Sequence, residues 1–180
     1  MDQLAFRLAK KIISKQLKFD RLVVLAKGGW TWGRTISDYL QIKNVASIQI
    51  QFYANISETQ EKSTIIQSLP LSINKENILL FDDISDSGET LITANSYLTM
   101  CGAQKITTAT LFFKPWTKTK PDFYSAETKA WVIFPHEIRE SVESINNRWR
   151  KNGLSKAKII KRFAAIGLPK DQVKYFLNSL

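Results

Sequence analysis

Ile78-Leu79-Leu80-Phe81-Asp82-Asp83-Ile84-Ser85-Asp86-Ser87-Gly88-Glu89-Thr90-Leu91 moves from four continuously apolar residues to an acid pair, and then to a turn that opens a helix reaching about Met100. A short apolar run of this kind reads as a strand buried on both faces. The strand-turn-helix unit repeats upstream, where Leu22-Val23-Val24-Leu25-Ala26 runs into Gly28-Gly29 and a helix near residues 31–40. Further strands are expected at Ala46–Ile50, Ile106–Phe113 and Ala130–Phe134, and a helix at Glu137–Arg150. The N-terminal stripe Leu4, Leu8, Ile12, Ile13 and Leu17 predicts a helix over residues 2–17. Alternating strands and helices define an α/β fold around a parallel, Rossmann-like sheet, whose ligands bind beyond the carboxyl ends of the strands.

Outward from that core, 180 residues are about one domain. With 44% apolar residues the chain can bury a core without disulfides or a structural metal. Cys101 is the only cysteine and His136 the only histidine, which removes Cys/His zinc cages and leaves His136 as the one histidine on which a dyad or triad could be built. The first residues lack the apolar stretch of a secretion signal, no span suits a membrane, and the cytoplasm is the expected location. Residues 53–76 are mostly polar with weak periodicity and read as a long functional loop.

The formal charge of +10 is uneven, because residues 148–180 carry +8. Past Gly153, segments 155–166 and 169–179 are amphipathic and are separated by Gly167-Leu168-Pro169, a helix stop followed by a helix start. They predict a basic helical hairpin serving assembly or an anionic partner, although for the charge by itself a solvated basic face is the commoner outcome.

Two stretches compete as phosphate loops. Gly28 to Thr35 is one residue from the G-x-x-x-x-G-K-[ST] pattern of nucleotidases, but Trp30, Trp32 and Arg34 stand where a wrapping backbone needs small residues and a lysine. The stretch 82–90 fits better. As a bare capping signal it would use Asp86 as N-cap and Glu89 three residues on. That leaves Asp82 and Asp83 unexplained, since clustered acids are unfavourable unless a cation sits among them. Ser87, Gly88 and Thr90 add hydroxyls and a bare backbone at a helix N-terminus, where an anion is favoured. Acids for a metal and sugar hydroxyls beside an amide nest describe a phosphorylated-sugar site.

These residues resemble the phosphoribosyl-pyrophosphate motif of type I phosphoribosyltransferases, two acids and two spacers followed by D-[TS]-G-x-T. Lys27-Gly28-Gly29 is similar to that family's pyrophosphate loop. Phe113-Lys114-Pro115-Trp116 and Trp131-Val132-Ile133-Phe134-Pro135-His136-Glu137 resemble the base-binding segments of its xanthine-guanine (6-oxopurine) branch. Ser87 stands where threonine is commoner, and His136 where tryptophan is usual.

The resemblance implies transfer of phosphoribosyl from phosphoribosyl pyrophosphate to guanine, xanthine or hypoxanthine in purine salvage, with Mg²⁺ and in at least a homodimer. It implies that Asp82 and Asp83 hold the ribose hydroxyls or the metal, and that Asp86 is the general base near purine N7. Asp86, Ser87, Gly88, Glu89 (by its backbone) and Thr90 would bind the 5-phosphate, and Lys27, Gly28 and Gly29 the pyrophosphate. Lys114 would donate to O6, Trp131 would stack on the base, and Val132 and Ile133 would read its edge. Tyr53–Leu69 would be a mobile lid. Residues 1–150 would form the transferase domain and 151–180 the extension. The alternative is a non-catalytic regulator that senses phosphoribosyl pyrophosphate and grips nucleic acid through the tail; the intact Asp86 and Lys114 favour catalysis.

Overall fold

The computed structural model describes residues 1–53 and 62–179. The chain divides into two compact units, Met1–Lys129 and Ala130–Leu180. The first contains α1 (Asp2–Ile13), β1 (Arg21–Ala26), α2 (Gly28–Tyr39), β2 (Val45–Tyr53), β3 (Lys62–Gln67), β4 (Asn77–Ser85), α3 (Glu89–Met100), β5 (Lys105–Phe113) and β6 (Phe123–Glu127). Its six-stranded sheet has the order β3-β2-β1-β4-β5-β6, parallel throughout except for the antiparallel edge strand β3.

Alternate residues of the apolar strands feed two cores, which is why β1 and β4 read as unbroken hydrophobic runs. Leu22, Val24, Leu79 and Phe81 pack with Ala5, Leu8 and Ile12 of α1 and Ile36 of α2. Val23, Leu25, Ile78 and Leu80 face the other way, onto Leu91, Ala94 and Leu98 of α3. From β1 the chain goes on to β2 on one side, while from β4 it goes on to β5 on the other. The carboxyl ends of β1 and β4 therefore flank the topological switch point, the place where open α/β sheets bind ligands.

Several elements differ from the sequence expectation. α1 ends at Ile13 instead of residue 17, because Lys15 N–H bonds back to Ile12 O at 3.1 Å and Gln16 takes φ +53°. α2 starts at Gly28, so the glycines form its first turn and no nucleotidase-type loop exists there. Within the polar stretch 53–76, residues 62–67 form β3, which pairs with β2. Of the expected lid, residues 54–61 lie outside the described residues. Ala130–Phe134 is not a strand. The sixth strand is Phe123–Glu127, and Ile133 instead packs against the helical core of the second unit.

That second unit holds α4 (Ile138–Lys151), α5 (Lys156–Ala165) and α6 (Lys170–Asn178). Val142, Ile159, Phe163, Leu168, Val173 and Leu177 form its core. α4 and α5 both end in Schellman turns, with Gly153 at φ +77° and Gly167 at φ +85°. Leu154 N–H bonds Trp149 O, and Leu168 N–H bonds Phe163 O, each at 3.1 Å. Among the described residues, no helix is long and apolar enough to cross a membrane.

One polar pair fixes where β1 and β4 begin. The Arg21 guanidinium donates to both Glu76 oxygens, Nε to Oε2 at 2.8 Å and the terminal nitrogen to Oε1 at 2.9 Å, with both side chains largely buried. The hydrogen bond to Glu76 raises the Arg21 pKa, against the opposing effect of burial. Arg21→Ala strands the carboxylate, and a charged hydrogen bond of this kind is worth about 1.5–3 kcal/mol. The expected outcome is a lower urea midpoint with an unchanged m-value; a midpoint equal to wild type would show that the pair contributes nothing.

Candidate active site

At the end of β1 the Ala26–Lys27 peptide is cis, and Lys27, which is exposed, caps α2. The next two residues have no room for a side chain. A Cβ on Gly28 would lie 2.7 Å from Asp83 Oδ2, and one on Gly29 would lie 3.1 Å from the Phe81 carbonyl oxygen. The N-terminus of α2 thus begins directly against the end of β4. Asp83 is buried there, and half-buried Asp82 accepts the Asp83 N–H at 2.9 Å on its Oδ1. Both carboxylates sit beyond Phe81 only because β4 continues through Asp82 and Asp83 to Ser85.

That extension of β4 also moves the helix start. The N-cap of α3 is Gly88 at φ +86°, and Glu89 is the first helical residue, so Asp86 and Glu89 form no capping box. Gly88 is required twice: by its left-handed backbone, and because a Cβ would meet Thr117 Oγ1 at 2.6 Å and Thr119 N at 2.8 Å. Ser87 and Asp86 are exposed, and Thr90 is half-buried.

The segment after β5 brings residues that sequence reasoning missed. Lys118 N–H donates to Ser87 O at 2.9 Å, and the Ser85 and Thr117 hydroxyls lie 2.9 Å apart, which binds residues 117–119 to the Ser85–Gly88 turn. The Lys118 ammonium pairs with the Glu89 carboxylate. Glu89 is therefore neutralised by a neighbouring cation.

Trp116 lies in the segment Phe113–Trp116, where the resemblance assigns a role only to Lys114. In the fold it is 56% exposed, and its indole N–H donates to Asp86 Oδ1 at 2.9 Å. Its ring also lies 5.4 Å from the ammonium of Lys114. The available signal was its position two residues beyond Lys114, at the end of a strand adjacent to β4. Lys114 itself is only 3% exposed, which excludes a solvated surface lysine, and its N–H holds Ser85 O at 2.9 Å.

The first unit thus gathers Lys27, Gly28, Gly29, Asp82, Asp83, Asp86, Ser87, Gly88, Glu89, Thr90 and Lys114 around the carboxyl ends of β1, β4 and β5. Trp131, Val132 and Ile133 belong to the second unit. There Trp131 is 75% exposed, Val132 and Ile133 are half-buried, and Phe134 stacks on His136 with ring centroids 5.5 Å apart.

Two carboxylates, two helix N-termini and a buried cation at the switch point of a parallel sheet can hold a polyhydroxylated, multiply phosphorylated molecule. Residues 2–140 match the phosphoribosyl transferase domain family, and the chain belongs to that family. It is thereby a transferase. It is similar to the purine phosphoribosyltransferase of Pyrococcus horikoshii Ot3, at 30% identity and a TM-score of 0.68 over 74% of this chain and 87% of that one. It is 26% identical over 130 residues to the xanthine-guanine phosphoribosyltransferase of Gluconobacter oxydans, which spans 71% of this chain and 74% of the relative. In fold it also resembles the Helicobacter pylori xanthine-guanine-hypoxanthine phosphoribosyltransferase, at 24% identity and a TM-score of 0.65 over 79% and 92% of the two chains.

The Trp116 indole gives a test of the Asp86 environment. Trp116→Phe keeps a ring beside Lys114 and removes the hydrogen bond to Asp86. The loss of about 1 kcal/mol expected for one hydrogen bond corresponds to roughly a fivefold lower turnover in a phosphoribosyl-transfer assay. Unchanged turnover would mean that Asp86 is oriented without Trp116.

Proposed function

We propose that the protein transfers the phosphoribosyl group of phosphoribosyl pyrophosphate to a 6-oxopurine, releasing pyrophosphate and forming a nucleoside 5-monophosphate in the cytoplasm. The observation that carries the reading is Lys114, a lysine buried at the end of β5 beside the Trp116 ring whose N–H holds Asp86. A lysine ammonium has three donors and no acceptor. It can bind a 6-oxo group, whereas the 6-amino group of adenine offers it only another donor. The names of the Pyrococcus and Gluconobacter relatives support a purine acceptor, and the latter supports a 6-oxo one.

In this reading the phosphorylated sugar lies across the switch point. The Ser87, Gly88, Glu89 and Thr90 backbone and the hydroxyls of Ser87 and Thr90 hold the 5-phosphate, with Asp86 at its edge. The α2 N-terminus at Gly28 and Gly29, with Lys27, holds the pyrophosphate. Asp82 and Asp83 hold the ribose hydroxyls or the water shell of Mg²⁺, a hard cation suited to paired carboxylates, which when bound would neutralise the departing pyrophosphate. As the bond to pyrophosphate stretches, positive charge grows on the ribose and both carboxylates stabilise it. Asp86 accepts a proton from the base at N7. Trp131 stacks on the purine, and the Val132 and Ile133 backbone reads its edge. The chemistry resides in residues 1–150, residues 151–180 form an extension, and the working form is a homodimer or larger.

The test is a steady-state assay with Mg²⁺, phosphoribosyl pyrophosphate and each of guanine, xanthine, hypoxanthine and adenine. A donor facing the wrong group costs several kcal/mol, so kcat/KM for adenine should fall roughly 100-fold or more below that of the best 6-oxopurine. Adenine used as well as guanine would overturn the acceptor class. Asp86→Asn should lower turnover roughly 100-fold, the usual scale for a general base, while turnover within about threefold of wild type would remove that role.

A further inference from the structure

The three-helix unit contains a feature that phosphoribosyl transfer does not use. α5 and α6 are joined by four residues, Ile166-Gly167-Leu168-Pro169, with Gly167 left-handed and Leu168 turned into the core beside Phe163 and Val173. Two short helices, a Gly-containing turn of three or four residues and an apolar side chain locking the turn are features that a helix-turn-helix shares with a simple helical hairpin. Val173 and Leu177 of the second helix are committed to the core, while Lys170, Asp171, Gln172, Lys174, Tyr175 and Asn178 are all exposed.

The charge on these helices is one-sided. They carry Lys156, Lys158, Lys161, Arg162, Lys170 and Lys174 against Asp171 alone. Among the described residues, none of the six cations is in an ion pair. Lys158 and Lys161 lie on α5 opposite its buried residues Ile159 and Phe163, so both helices present unneutralised positive charge to solvent.

We propose that α5 and α6 dock on duplex DNA, with α6 entering the major groove and the lysines of α5 on the flanking phosphates. A helix held from one side by its core is the shape that groove admits. Of the exposed side chains of α6, Lys170, Gln172 and Lys174 are of the kinds that read base edges there, lysine toward guanine and glutamine toward adenine, while Asn178 Oδ1 accepts from the Lys156 ammonium at 2.7 Å. Double-stranded RNA fits less well, because its major groove is too deep and narrow for side chains to read.

The experiment is fluorescence anisotropy of the full chain with a labelled mixed-sequence duplex of about 30 base pairs, titrated from low to physiological salt, where sequence-independent binding falls at roughly 1–100 μM. Lys170→Glu/Lys174→Glu should raise Kd by roughly tenfold or more and flatten the dependence on salt, because phosphate contacts set both. Lys15→Glu/Lys18→Glu makes the same charge change on exposed residues of the first unit and should shift Kd by less than about threefold. If the α6 variant loses helical circular dichroism, Lys158→Glu/Lys161→Glu replaces it with the same expectation. Equal losses in the α6 variant and the first-unit control, absence of duplex binding at roughly 100 μM, or tighter binding of single-stranded RNA than of the duplex would each overturn the proposal. So would sedimentation showing that the α6 variant alters self-association while duplex binding is unchanged.

Discussion

The site depends on how closely the start of α2 approaches the end of β4. Gly28 faces the Asp83 carboxylate, Gly29 faces the Phe81 carbonyl, and a Cβ on Gly33 would stand 2.7 Å from Val24 Cγ2. A side chain at Gly29 or Gly33 would have to move backbone or the stiff β-branched Val24, and one at Gly28 would have to displace the buried Asp83 carboxylate. The contact seats α2 against β1 and β4 and aims the free N–H groups of its first turn over the switch point. It also brings an acid pair to that point, where a positive helix end and a bound cation can offset the repulsion between them.

A second closure, from the chain after β5, completes the arrangement. Residues 114–119 return to the Ser85–Gly88 turn through backbone bonds to Ser85 O and Ser87 O, which fixes Lys114, Trp116 and Lys118 around the start of α3. The result is a small polar network in which Asp86 is oriented by Trp116 and Glu89 is neutralised by Lys118. Asp86 and Glu89, the acids flanking the start of α3, thus each have a defined partner.

The parts of the fold that bury apolar side chains on both faces were legible: β1, β4 and β5 from their runs, α1 and the tail helices from their stripes. The two edge strands were not. β3 (Lys-Ser-Thr-Ile-Ile-Gln) and β6 (Phe-Tyr-Ser-Ala-Glu) are mixed in polarity and only partly covered, so neither gives a clean period. Trp131–Phe134 misled for the opposite reason: it is apolar without being a strand, because Ile133 packs on the helical core while Trp131 is exposed. In the site, the acid pair and the Ser87-Gly88 turn were readable as local pattern. The Trp116–Asp86 and Lys118–Glu89 pairs join residues about thirty positions apart, and only the adjacency of β4 and β5 brings them together. The exact start of α3 depended on how far β4 runs, which no cap signal encodes.

The contact between Gly28 and Asp83 is tested most directly by calorimetric titration of phosphoribosyl pyrophosphate with Mg²⁺ into the wild-type protein and into Gly28→Ala, after circular dichroism has shown both folded. The added methyl must displace the Asp83 carboxylate or the start of α2, so the predicted result is an affinity lower by roughly tenfold or more, about 1.4 kcal/mol. Equal affinities for the two proteins would contradict it, and would place the sugar-phosphate site away from the ends of β1 and β4.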